Sequence, residues 1–286
     1  FMGNDLDNRA IPGIKIDVVM GRNAGWLTAA SSLARSIEGD GPHMICLPER
    51  SYTITEFVSQ IEKIYTQQGR ASIAVSEGMA DDEGNVWLQS EKIRKELAEL
   101  DMGVLIDWMN ATGKIEDAAG GAKLDSFGHA QLSGSGALAD LLAAVTKIHL
   151  YRKLGKKVRM RADTLGYAQR SFQGVVSEVD AEEAREAGRA AINVALQGDM
   201  DGSICFKRVP SNYGKYLCDN FRAKLEDVSG VNFPKGMKQY RTMEDKYIAD
   251  TKFDVTPEFV EWARPLVGKL PVKGRLTQVD ASGIVT

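Results

Sequence analysis

The chain has 286 residues, 43% of them apolar and 26% charged, with a net charge of −3. That composition suits a globular protein with a sizeable core, and it gives no basic field of the kind that gathers nucleic acid. No apolar run reaches membrane-span length and no secretory signal is visible. The three scattered cysteines, Cys46, Cys205 and Cys218, have neither metal-ligand nor disulfide spacing, so a reducing, cytoplasmic setting is expected.

The first apolar run, Ile14–Met20, reads as a buried strand. It passes through Gly21-Arg22-Asn23-Ala24-Gly25 into an amphipathic helix over Trp26–Arg35. Two readings of that junction stand. The glycines fit a turn, and the same stretch fits an anion pocket, because a helix N-terminus offers free N–H groups and an arginine adds a fixed charge. A short strand, His43–Leu47, ends at Pro48-Glu49. Thr55–Gln68 reads as a helix capped by Thr53 or Thr55 and ended by Gly69, with Phe57, Val58, Ile61, Ile64 and Tyr65 on one face. Ala71–Val75 is another apolar strand, running into Ser76-Glu77-Gly78, and Leu88–Leu100 is helical. This alternation predicts an α/β fold, a mostly parallel sheet with helices on both faces, in which ligands sit beyond the carboxyl ends of strands. Arg22 and Glu77 both fall at such ends.

Residues 113–136 are glycine-rich and read as a loop around a compact segment at Phe127–Leu132. Ala137–Leu154 is a long helix closed by Gly155, Lys157–Ala162 a basic strand, and Asp163–Arg170 a turn. Asp180–Gln197 is a helix capped by Asp180, Ser203–Val209 a short strand, and surface helices and a tail complete the chain. His43 and His149 read as core or edge residues in apolar surroundings, His129 as a structural histidine, and the cysteines as packing. Arg22, Arg161 and Arg170 with one carboxylate, Glu77, suit a phosphorylated sugar: guanidinium forks grip phosphate and a carboxylate accepts from hydroxyls. Surface arginines paired with nearby acids are the competing reading.

The motifs carry a family resemblance. "VVMGRNAGW" resembles the fructose 6-phosphate motif of the phosphofructokinases. "CLPER" resembles their "PE" strand end, "VSEGM" their sugar-binding glutamate segment, and "RADTLGYAQRS" the motif that begins and ends with substrate arginines. "LDSFGHAQLSG" and "QRSFQGVVSEVDAEEAREAGRAAINVAL" are similar to the diphosphate-dependent branch. The matches run in family order from residue 14 to about residue 210. The resemblance implies that Met20, Gly21 and Arg22 form the sugar-phosphate loop and that Glu77 holds the sugar. It implies phosphate contacts for Arg161, Tyr167 and Arg170, with Arg161 reaching across a subunit interface. It further implies a homo-oligomer and phosphoryl transfer to the 1-hydroxyl of fructose 6-phosphate with Mg2+. "QRSF", where ATP-dependent members show "QRGG", favours diphosphate over ATP.

One departure weighs against a complete active site. The family's glycine-rich donor loop and its "TIDND"-like motif, whose first aspartate serves as base, have no counterpart here. "GNDLDNRA" shares letters with the latter but lies too close to the Met20-Gly21-Arg22 loop for Asp5 or Asp7 to be catalytic. The chain is therefore expected to hold the acceptor half and to lack most of the donor half. Phe1 before Met2 is an unusual start, consistent with a natural beginning elsewhere. A non-catalytic sugar-phosphate-binding or regulatory subunit is the alternative. Residues 11–166 are expected to form the fructose 6-phosphate domain, and 167–286 a segment that packs on the donor domain. The helix face Ala184, Ala187, Ala191, Val194 and Ala195 should then lack part of its partner.

Overall fold

The computed structural model describes residues 1–112, 136–198, 201–210, 216–229, 242–272 and 274. The chain divides into two units: Gly3–Phe172 with Ser229–Ala263, and Gln173–Val228 with Arg264–Thr286. The sequence places the division at residue 167; in the structure 229–263 also groups with the first unit.

The first unit runs α1 (Met2–Ala10), β1 (Ile14–Val19), α2 (Trp26–Ala29, continued as 3-10 turns to Ala34), β2 (Met44–Cys46), α3 (Ile54–Gln68), β3 (Ala71–Ser76), α4 (Glu91–Glu99), α5 (Val104–Thr112), α6 (Ala137–Leu154), β4 (Met160–Thr164) and α7 (Ala168–Ser171). The strands make one parallel sheet in the order β2-β3-β1-β4. Period-two alternation sorts its faces. Ile14, Ile16 and Val18 of β1 share one face with Met44, Cys46, Ile73 and Val75, and bury against Phe57, Val58 and Ile61 of α3 and Leu138, Leu141, Leu142 and Val145 of α6. Burial of each such aliphatic side chain contributes about 1.5–3 kcal/mol, more than a typical cap or exposed ion pair, and the layer holds many of them, so it decides the fold.

The opposite face is polar and lies under α1. Asn8 Nδ2 donates to Ala71 O (2.9 Å) and Ser72 Oγ (3.1 Å), and Lys15 pairs with Asp7. Asp5 Oδ1 accepts from Arg70 Nη1 (2.7 Å) and Ser72 Oγ (2.9 Å). Burial alone would raise the Asp5 carboxyl, but Arg70 and Ser72 outweigh it and hold the carboxyl below its ordinary value. Asp5 and Asp7 thus serve to seat the helix.

Several elements depart from the sequence reading. α1 carries no apolar periodicity because what it buries is Asp5 and Asn8. α4 starts later than Leu88 because the Ser90 side chain caps it, accepting from Ile93 N at 3.0 Å. α5 is a helix that the sequence reading does not contain. β4 runs on to Thr164, so Asp163 and Thr164 are strand rather than turn. His149 is not apolar in setting: its Nε2 lies 2.6 Å from Glu62 Oε2. His43 Nδ1 accepts from Ser72 N (2.9 Å), and burial, aided by the Arg70 charge, holds its pKa below the ordinary value. The segment Phe127–Leu132, with His129, lies outside the described residues.

In the second unit α8 (Glu178–Leu196) packs on a hairpin of β5 (Ser203–Val209) and β6 (Leu217–Ala223), and α9 (Leu225–Ser229) comes next. The cap of α8 is Ser177, whose Oγ accepts from Asp180 N at 3.0 Å, so Asp180 lies inside the helix. β6 replaces a stretch that the sequence reading leaves among surface helices. No residue of α8 is buried: Ala184, Ala191 and Ala195 are exposed, Ala187 and Val194 half-buried.

The chain returns to the first unit along β2. Ile45 N donates to Phe253 O (2.8 Å) and Tyr52 Oη to Lys252 O (2.9 Å). The last described helix is α10 (Pro257–Val267); its Phe259 and Trp262 rings gather with Tyr247 around Trp26 of α2. No helix among the described residues is long and apolar enough to cross a membrane.

Candidate functional site

Register fixes where the polar strand ends meet. Val19 lies opposite Ser76, and Val18 opposite Thr164, so the carboxyl ends of β3, β1 and β4 stand side by side. Beyond these ends come Met20-Gly21-Arg22 after β1, Glu77-Gly78 after β3 and Gly166-Tyr167 after β4.

The first two segments interlock. Glu77 N donates to Val19 O (2.9 Å), Ser76 Oγ to Gly21 O (2.6 Å), Gly78 N to Ser76 Oγ (3.1 Å), and Gly21 N to Glu77 Oε1 (3.3 Å). Gly21 has φ +140, open to glycine and strained for other residues. A Cβ at Gly78 would lie 1.9 Å from Arg22 O, so the close approach of the two loops requires glycine there. The structure therefore brings Met20, Gly21, Arg22 and Glu77 into one constellation, with Met20, Arg22 and Glu77 half-buried.

At the third strand end Leu165 N donates to Val18 O (2.9 Å), and the chain enters the short helix α7. The Arg170 guanidinium stands 5.4 Å from the Tyr167 ring centroid, a cation–π pair that holds the two side chains together. Tyr167 is 48% exposed, a surface residue.

Arg161 is not brought to that edge. It lies in β4 level with Lys15, its Nε 3.2 Å from Asp163 Oδ1. Three further residues of strand carry the chain from it to Thr164, about 10 Å at the usual rise. The sequence reading ends the strand at Ala162 and so puts Arg161 near its tip; β4 starts later and ends two residues further on, at Thr164, which moves Arg161 inward.

Asp17, across from Asp163 on the polar face, is 1% exposed. Asn4 Nδ2 donates to its Oδ1 at 2.5 Å, while Oδ2 has no hydrogen-bond partner among the described residues. Burial, with the Asp163 charge adding to it, pushes its pKa up to about 6.

Glu49, just past β2, is no more than a strand-end marker in the sequence reading. In the structure its Oε1 accepts from Gly25 N (2.9 Å) at the start of α2 and from Met243 N (2.9 Å) on the returning segment. The only local signal is Pro48-Glu49 at a strand end. Among the described residues no three His, Cys, Asp or Glu side chains cluster as metal ligands, so these residues do not fit a protein-built cage for Mg2+.

The chain matches the family model described as Phosphofructokinase over residues 14–195. It is 43% identical over 269 residues to the pyrophosphate–fructose 6-phosphate 1-phosphotransferase of Rhodospirillum rubrum, a match covering 94% of this chain and 56% of that protein. The protein of the same name from Xanthomonas campestris is 35% identical over 179 residues, 63% of this chain and 34% of that one. The fold is shared with the pyrophosphate-dependent phosphofructokinase of Marinobacter aquaeolei, with a TM-score of 0.61 at 21% identity over all of this chain and 55% of that chain. The chain spans about half the length of the Rhodospirillum rubrum protein, and less of the Xanthomonas campestris one.

Proposed function

The chain belongs to the phosphofructokinase family, and on that premise we propose that it binds fructose 6-phosphate and serves phosphoryl transfer from diphosphate to the sugar's 1-hydroxyl. In that reaction the hydroxyl oxygen attacks phosphorus, one P–O bond of diphosphate breaks, orthophosphate leaves, and the hydroxyl proton passes to a base. The described residues assign no such base. The observation that carries the reading is that the segments bearing Arg22, Glu77 and the Tyr167–Arg170 pair follow the carboxyl ends of three adjoining strands.

Arg22 and Arg170 neutralise the 6-phosphate, and Tyr167 stands against it. Glu77, already tied to the loop through Gly21 N, accepts from the sugar hydroxyls. Arg161, away from this edge, is assigned to the site of a neighbouring subunit in a homo-oligomer, as the family resemblance implies. The names of the relatives support diphosphate as donor. Magnesium would act on the donor's oxygens; no step above depends on it.

The test is fructose 6-phosphate binding by titration calorimetry, alongside an assay for fructose 1,6-bisphosphate with diphosphate or ATP. Arg22→Ala and Arg170→Ala should each weaken binding about tenfold or more, the usual loss when a charged hydrogen-bond partner goes. Unchanged affinity in both overturns the site. Turnover with ATP alone overturns the donor. Binding with no turnover on either donor points to a sugar-phosphate-binding subunit.

A further inference from the structure

We infer that Glu49 is a positioning residue, whose carboxylate between the Gly25 and Met243 amides sets the Met20–Gly25 loop and through it the placement of Arg22. The inference rests on the site reading above and deepens it. The loop is short and pinned at two points. At its start, Gly21 is bonded in both directions to Ser76 and Glu77, and Gly78 abuts the Arg22 backbone. At its end, Gly25 N is held by Glu49 Oε1 at 2.9 Å. Only Asn23 and Ala24 lie between Arg22 and that second anchor, so a shift at Gly25 reaches the Arg22 backbone within two residues.

The second anchor is built for close contact. A Cβ on Gly25 would lie 2.7 Å from Glu49 Oε2, 2.8 Å from Leu47 Cδ2 and 3.0 Å from Pro48 Cδ, so the loop end rests directly on the β2 strand end. Glu49 Oε1 accepts a second amide, Met243 N, at 2.9 Å. Met243 is buried and begins the segment whose Tyr247, Phe259 and Trp262 surround Trp26, the first residue of α2. One carboxylate thus ties together β2, the opening of α2 and the returning chain. An ionised acceptor makes stronger bonds to amides than a neutral one, which suits an anchor. Glu49 acts on the phosphate site through the loop backbone.

The experiment compares the full chain with Glu49→Ala, Glu49→Gln, Arg22→Ala and Val255→Ala. Two quantities are read: fructose 6-phosphate affinity by calorimetry, and hydrogen exchange at the Gly25 amide, which needs no ligand. Glu49→Ala should speed Gly25 exchange and weaken binding about tenfold. Glu49→Gln keeps an oxygen acceptor and should bind within about threefold of the unaltered chain. Val255→Ala trims the buried returning segment away from the loop. It should lower the melting temperature without weakening binding, so it separates positioning from general stability. If Glu49→Ala does not fold, Gly25→Ala leaves the carboxylate in place, pushes the loop off it, and is expected to weaken binding similarly.

Full affinity in Glu49→Ala or Gly25→Ala, with affinity lost in Arg22→Ala, overturns the role of Glu49 and leaves the site standing. Full affinity in Arg22→Ala overturns the site itself and the inference with it. Weakened binding in Val255→Ala equal to that in Glu49→Ala overturns the positioning role in favour of a structural one.

Discussion

Asp17 shows how a residue's role depends on its neighbours. In the middle of β1 its side chain faces α1, where Asn4 reaches it, with Lys15 beside it and Asp163 across from it on β4. Its carboxyl is pushed up to about 6 from an ordinary 3.8, so the folded state holds this proton more tightly than the unfolded chain. The resulting stability is complete below about pH 4 and is lost as pH rises through about 6. Asp17→Asn should therefore be more stable than the natural chain at pH 7 by about 1–3 kcal/mol, with the difference closing below about pH 4. Urea unfolding across this pH range measures it; a constant difference would show that Asp17 does not titrate there. Arg22 and Glu77 are legible as candidate site residues because each closely follows an apolar strand and is flanked by glycine. Glu49 is not, because its partner Met243 lies 194 residues away in sequence.

At the scale of elements, local signals and tertiary contacts share the work. The start of α3 is legible from Thr53, and the structure shows the reciprocal pair it makes with Glu56: Glu56 N donates to Thr53 Oγ1 at 3.1 Å and Thr53 N to Glu56 Oε2 at 3.0 Å. Glu96, from α4, independently accepts from Ile54 N (2.9 Å) and Thr55 N (2.8 Å). Thr53→Ala removes the Oγ1 cap and leaves Glu96 in place. It should cost about 1 kcal/mol, a fall in melting temperature of about 2–4 °C by circular dichroism. No fall would mean that Glu96 alone suffices. α1 is invisible for the opposite reason. Its buried residues are polar, and hydrogen bonds to Ser72, Arg70 and Asp17, distant in sequence, stabilise it in place of an apolar stripe.

At the scale of the molecule, the second unit carries uncovered apolar surface. On α8, Ile192 is 63% and Leu196 80% exposed, along with the small-residue face expected to lack part of its partner. Exposed apolar surface of this kind drives association. The chain should self-associate with rising concentration, and Ile192→Gln combined with Leu196→Gln should shift sedimentation toward the smaller species. A double variant that sediments like the natural chain would clear this face of the role.

The sequence by itself determined the class of fold and which candidate residues follow its strands. Apolar runs of strand length alternating with helical periodicity dictate a covered parallel sheet, and a parallel sheet presents the residues after its strands along one edge. Only the tertiary structure decided which strand ends are neighbours, because the order β2-β3-β1-β4 is set by pairing between segments far apart in the chain. That order sets the segments carrying Arg22, Glu77 and the Tyr167–Arg170 pair after adjoining strand ends. Register, which no local pattern encodes, carries Arg161 inward to the level of Lys15. Likewise the polar helix α1 and the carboxylate of Glu49 take their roles from partners that folding alone brings within hydrogen-bond reach.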